Sequence, residues 1–177
     1  MRDNILRYGA VTRLLHGLIG GLVLAQLLAA GAKRLFGRDN PFSELLSPYH
    51  GDIGWVLLVL VTIRILWALT QVGNRPKHEE NTLLVKAGHL GLYLLMFLTP
   101  LLGAMIAFGG DRGADVFGLQ LREAGEQIAW MRETGKEFHS PIAILFSALV
   151  AGHIGAALYH RFVRRDAIMA RMFGAKA

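Results

Sequence analysis

Seven histidines hold most of the chemistry open to this 177-residue chain: His16, His50, His78, His89, His139, His153 and His160. Only His78 sits in an evidently polar stretch. The other six fall in or at the ends of long apolar runs, where an ionisable side chain is costly and usually has a task. Depth along a helix sorts them. His139 and His153 are fourteen residues apart, which separates them by about 21 Å and keeps them within about 40° of one helix face. Fourteen residues on from His50 stands Arg64. On an antiparallel helix, His50 is then level with His139 at an outer rung, and Arg64 is level with His153 at an inner one. Neutral imidazole is the usual axial ligand of a b-type haem, and two imidazoles from different helices can hold one iron between them. Arg64, a cation inside an apolar helix, needs an anion, and a haem propionate would serve. His16 and His89 are both candidates to complete the inner rung with His153.

Other chemistries fit less well. A lone histidine at a helix end is ordinarily an interfacial polar residue, but six on four helices at two depths are not explained that way. The chain has no cysteine, which excludes disulfides, thiolate-bound clusters and covalent haem attachment. A zinc site wants three or four ligands at short spacing, and none is visible. A proton relay wants buried carboxylates beside the histidines, and Asp52 is the only one near a helix core. Gly17, Gly20, Gly21, Gly51 and Gly54 either leave room for a macrocycle or pack helices together. Trp55, Trp67 and Tyr93 are read as interface or packing aromatics.

Four apolar runs, 14–32, 53–72, 87–108 and 141–163, must position these residues. Each is close to the roughly 20 residues that span a hydrocarbon core. Together with a hydrophobic content of 53%, they predict an all-α integral membrane four-helix bundle, a single domain over 1–177. Its helices are expected at 8–32, 49–72, 82–108 and 138–164. Pro100 should kink the third helix unless neighbours satisfy the freed carbonyl. The segment 109–137 is expected to be a long outer loop bearing a short amphipathic surface helix. The tail "RRDAIMARMFG" is expected to lie along the inner interface.

Charge sets the orientation. The N-terminus, the loop 73–86 and the tail hold eleven basic residues, among them Arg2, Arg75, Lys77, Lys176 and Arg164, against Asp3, Glu79, Glu80 and Asp166. Arg64 apart, seven basic and nine acidic residues remain elsewhere. The positive-inside rule then places both termini in the cytoplasm. The same asymmetry accounts for the net charge of +6 without nucleic acid as a partner. Near the N-terminus, basic residues, an apolar run and Ala30, Gly31 and Ala32 imitate a secretory signal. That run is long for a signal core and contains His16, so it is read as the first membrane helix.

The stretches "RLLHGL", "HGDIGWVLLVLVTIR", "GHLGLYLLMFLTPLLG" and "FHSPIAILFSALVAGHIGAALYHR" resemble the bacterial cytochrome b561 family. Its members are small four-helix di-haem membrane cytochromes, and one type is a superoxide oxidase that reduces ubiquinone. The likeness spans nearly the whole chain, and its specificity lies in the combined histidine spacing. It implies two haem b groups, the outer held axially by His50 and His139 and the inner by His16 and His153. His89 and His160 match family positions not generally assigned as axial ligands. Both are expected towards the cytoplasmic side, lining a quinone pocket where an imidazole hydrogen-bonds a quinone carbonyl.

The resulting reading is an electron-transfer oxidoreductase of the bacterial inner membrane, a superoxide:ubiquinone oxidoreductase. A small reductant such as superoxide gives electrons at the periplasmic face, and ubiquinone is the acceptor. Lys33, Arg34, Arg38, Arg132 and Lys136 are the cations that could steer an anion there, although acids outnumber bases in the outer segments. The alternative is a haem b membrane subunit relaying electrons from a partner dehydrogenase or hydrogenase to quinone. The absence of a long partner-binding extension favours a standalone enzyme. A haem-free transporter that uses histidines for proton coupling is a third reading, one that does not require two facing rungs.

Overall fold

Apolar length dictates the frame, and the computed structural model of the protein describes it over residues 2–37, 39–76 and 83–173, without the side chains of Phe42 and Leu46. His78, Arg38, Lys77, Glu79, Glu80 and Lys176 lie outside the described residues. Four helices run alternately up and down: α1 (Ala10–Phe36), α3 (His50–Thr70), α4 (Leu83–Phe108) and α5 (Ala129–Tyr159). All four are long and apolar enough to cross a membrane. Leu14, Leu28, Leu66, Leu90, Leu145 and Leu158 point outward and stay exposed, as hydrocarbon-facing positions should. Inside, Ile19 and Val23 of α1, Leu57 and Val61 of α3, Leu95 of α4 and Phe146 of α5 form one buried cluster. These residues fall midway along their helices, so the apolar core lies between the two ends that carry the histidines.

Short elements close each end. Asn40 caps α2 (Pro41–Leu46) by accepting from Ser43 N, and Pro41 occupies the first turn, where a missing N–H costs nothing. Pro100 and Pro141 sit inside α4 and α5 without ending either helix. The segment 109–137 departs from expectation. It contains no separate surface helix; it folds into a β-hairpin of β1 (Ala114–Val116) and β2 (Leu119–Arg122), and then into the first turns of α5, which already begins at Ala129. Arg122 organises this end. Its guanidinium donates to Phe108 O and Gly110 O, each at 2.6 Å, and to Glu126 O at 2.6 Å. It thereby satisfies carbonyls at the C-terminus of α4 that have no partner within the helix. Nearby, α4 and α5 close to backbone contact at Gly135. A Cβ there would stand 2.7 Å from Leu102 O and from Ile106 Cγ1, so only glycine fits.

At the other end the tail turns back on itself. A π-helical turn (His160–Arg164) leads through Arg165, with φ 54, into α6 (Ile168–Phe173). The N-terminal segment meets this helix, with Tyr8 N donating to Arg171 O at 3.1 Å. Burial of Tyr8 raises its phenol pKa above the ordinary value, offset in part by the nearby Arg75 charge.

Candidate functional site

Two helices meet at the hairpin end through their histidines. His50 opens α3, and His139 of α5 faces it with ring centres 6.1 Å apart and planes at 88°. The His139 ring is held against α4: its Nδ1 lies 3.0 Å from Thr99 O. A carbonyl only accepts, so Nδ1 carries the proton and Nε2 keeps the lone pair. Gly103 permits this approach, because a Cβ there would already stand 3.2 Å from His139 Cε1. His50 is tied to α1 through Gln26 Nε2, which donates to its backbone carbonyl at 2.9 Å.

At the termini end His153 of α5 meets two rings. His16 of α1 stands 6.2 Å away with planes at 48°, and His89 of α4 stands 5.9 Å away with planes at 81°. His89 is braced on its own helix, Nδ1 to Val85 O at 2.8 Å. Arg64 lies at this level: its charge reaches His16 and His153, and its guanidinium stacks 5.7 Å over the Tyr93 ring.

These separations have a physical meaning. An in-line N–H···N hydrogen bond would draw two ring centres to about 5 Å. Two rings bonded at about 2.0 Å to one metal atom, each centre about 1.1 Å beyond its nitrogen, stand about 6.2 Å apart. All three histidine pairs match the second spacing. Among the described residues no three histidine or carboxylate side chains gather as a chelating cage, so paired imidazoles are the geometry to explain.

A profile of the prokaryotic cytochrome b561 family matches residues 7–175. The chain belongs to that family. It is 28% identical to Cytochrome b561 homolog 2 of Escherichia coli (strain K12), over 95% of this chain and 92% of that one. It is 31% identical to Cytochrome b562 of Cereibacter sphaeroides, over 89% of each chain. It is 28% identical to Probable superoxide oxidase CybB of Yersinia pestis, over 76% of this chain and 78% of that one. Membership makes this protein a membrane cytochrome that binds haem b and transfers electrons.

The chain's residues fit such a group in a second respect. Gly20 and Gly54 each follow a histidine by four residues, on the same helix face as His16 and His50. A Cβ added at either would meet nothing within 4 Å, and the same holds for Gly17, Gly21 and Gly51. None of the five packs against another helix, which removes one of the two roles their sequence left open. The quinone candidates lie apart from each other in their contacts: His89 approaches His153, whereas His160 is bonded to Asp166. A cavity of about 370 Å³ lies elsewhere, against Arg13 and Gly17 of α1 and under Met172 and Phe173 of α6, with His16 at one edge.

Sequence reasoning passed over several supporting residues. Asp3 has a fully buried side chain and accepts from Thr12 Oγ1 at 2.6 Å and from Gly9 N at 2.8 Å, with Arg75 Nε 3.8 Å away. Thr12 in turn accepts from Trp67 Nε1 at 2.9 Å, and its carbonyl receives Arg64 Nη1 at 3.4 Å. A carboxylate three residues from a terminus carries no periodic signal, and Trp67 looks like any interfacial aromatic. Asp52 accepts from Phe117 N at 2.9 Å and so holds the hairpin turn over the start of α3. Phe117 has φ 48, a strained value for a bulky residue, which that bond helps to sustain.

Proposed function

We propose that the protein is a superoxide:ubiquinone oxidoreductase of the bacterial inner membrane, with both termini cytoplasmic and the hairpin end periplasmic. The observation that carries this reading is a pair of imidazole couples at metal-bridging distance, one at each end of a bundle with an apolar core between them. In this reading the chain holds two haem b groups, the outer through His50 and His139, the inner through His16 and His153. When bound, each supplies a one-electron redox couple. The chain's own residues do the rest. Thr99 O holds His139 with its metal-facing nitrogen unprotonated. Arg64 neutralises a carboxylate at the inner level. Leu57, Val61, Leu95 and Phe146 exclude water between the levels. His89 and His160 have Nδ1 engaged by Val85 O and Asp166, so each offers Nε2–H to a quinone carbonyl on the cytoplasmic side only as the imidazolium.

Two superoxide anions each lose one electron and leave as dioxygen, and ubiquinone takes up those two electrons with two protons to become ubiquinol. Steering of the anion falls to Lys33. Arg132 is paired with Asp111 at 3.4 Å and Lys136 with Glu133 at 3.5 Å, whereas the charge of Lys33 reaches His50. The Yersinia pestis relative's name supports the choice of donor. The test is spectral. The purified protein should contain two b haems per chain, reduced by a superoxide source and reoxidised by ubiquinone; absence of reduction by superoxide would remove this donor.

One observation favours the second reading, a haem b subunit relaying electrons from a partner dehydrogenase or hydrogenase. Phe117, Leu119 and Trp130 are each more than 60% exposed at the hairpin end, and such a patch can seat a protein. Purification with a stoichiometric soluble partner would decide for it.

A further inference from the structure

The end of α5 is built around a pair that electron transfer alone does not require. After Tyr159 the helix widens into the π turn His160–Arg164, and Arg165 closes it in the left-handed region at φ 54. A left-handed non-glycine residue is disfavoured, and π turns recur at functional sites. The result of this winding is to return Asp166 beneath His160. Asp166 Oδ2 lies 2.6 Å from His160 Nδ1, and Oδ1 accepts from Ile168 N at 3.1 Å, at the first residue of α6. Both carboxylate oxygens are thus engaged, one by the imidazole and one by the helix it starts.

We propose that Asp166 is a positioning residue for proton delivery to quinone: it fixes the proton of His160 on Nδ1, so that Nε2 is the nitrogen that gives protons to the reduced quinone oxygen. This rests on the reading of His160 as part of the quinone site. Reduction of ubiquinone to ubiquinol takes two electrons and two protons. In each protonation the Nε2–H bond of the imidazolium breaks and an O–H bond forms on the quinone oxygen. The imidazole is left neutral, with its Nδ1–H still on Asp166, and regains a proton from water at the termini end.

The surroundings suit the role. The hydrogen bond from His160 holds the Asp166 carboxyl below the usual carboxylate range, assisted by the Ile168 backbone N–H and Arg164. A carboxylate with a depressed pKa is ionised throughout the neutral range and loses its partner only as pH falls through that lowered value. The other groups near the pair are Arg164, with Nε 3.7 Å from the same Oδ2, and Tyr159, whose ring centre is 6.1 Å from that of His160. From α6, packed against this turn, the charged residue is Arg171.

The test follows reoxidation of the dithionite-reduced holoprotein by ubiquinone-1 over a range of pH, which needs no superoxide. Asp166→Asn is expected to slow reoxidation about tenfold at neutral pH, a modest general-acid effect. Its rate should recover on acidification, with the midpoint moved to lower pH and the KM for ubiquinone-1 within about twofold. Asp166→Glu should restore the wild-type midpoint. Nitrogen NMR of labelled histidine should show Nδ1 protonated in the wild type and a mixture of tautomers in Asp166→Asn. If His160→Gln slows reoxidation while Asp166→Asn keeps the wild-type pH profile, Asp166 is only a tie for α6 and the proposal fails. If His160→Gln is reoxidised at the wild-type rate, the quinone reading of His160 itself fails, and the proposal with it.

Discussion

At the hairpin end His139 meets a single imidazole, that of His50, and its ring is pinned by Thr99 O across the tight α4–α5 contact. At the termini end His153 meets two, His16 and His89, at nearly equal distances. The outer level therefore has one way to complete a pair, and the inner has two. The difference extends to what holds each end. Arg122 and Asp52 bond backbone groups around the outer level, whereas at the inner one Asp3 ties the N-terminal segment to α1 through its buried carboxylate and to Gln71, at the end of α3, through its backbone N–H. The outer end is held through bonds to backbone groups, and the inner end depends on a network of buried polar side chains.

The largest expected effect breaks that comparison directly. His139→Ala and His153→Ala should each remove one haem, about half the total, since each ring belongs to every pair at its level. Their neighbours should differ. His50→Ala should match His139→Ala. At the inner level His16→Ala should lose the haem and His89→Ala should keep it. Haem-to-protein ratios and reduced-minus-oxidised spectra read all five; inner haem lost in His89→Ala but kept in His16→Ala would transfer the axial role to His89.

Nearly as large an effect is expected from filling space without touching a ligand. Gly20→Leu and Gly54→Leu add a side chain where the chain itself offers no contact within 4 Å, so neither should disturb helix packing. Gly54→Leu should reduce outer haem and Gly20→Leu inner haem, each with the other level intact. If both variants bind full haem, those faces look into lipid and the cradle is elsewhere.

These two levels were legible from spacing alone, because a helix converts sequence separation into depth, and hydropathy places four such helices in a membrane. The rest was hidden for identifiable reasons. Hydropathy reports apolar stretches of a helix, so it missed Ala129–Glu137, the charged first turns of α5. Arg122 reaches backbone carbonyls, which leave no sidechain pattern, and its hairpin is too short for alternation to register. Spacing also could not choose between His16 and His89, and the structure explains the ambiguity: both rings lie at the same depth beside His153.

A smaller effect separates the supports of the two ends. Asp3→Ala removes a buried acceptor from Thr12 and Gly9 and the counter-charge of Arg75, and breaking such a charged network costs about 3 kcal/mol. Arg122→Gln loses bonds on a partly exposed edge and should cost about 2 kcal/mol. Thermal loss of the two haem bands would show the asymmetry: Asp3→Ala should release inner haem first, and Arg122→Gln outer haem first. Simultaneous release in both would mean that the bundle melts as one unit and the ends have no separate stability.

The smallest effect concerns approach to the outer level. Acids outnumber bases in the outer segments, so net charge there repels an anion, and any attraction must come from a cation placed locally. Lys33 is exposed on the last turn of α1 and its charge reaches His50, while Arg132 and Lys136 face carboxylates of their own. Lys33→Gln should therefore slow reduction by superoxide about threefold at low ionic strength, with the gap closing as salt approaches the range where the Debye length falls to a few ångströms. The same substitution should leave reoxidation by ubiquinone unchanged, because the proposed function assigns that step to the opposite end. A threefold loss that persists in high salt would point to a contact made by Lys33 rather than a field, and equal slowing of both half-reactions would mean that the two ends are not independent.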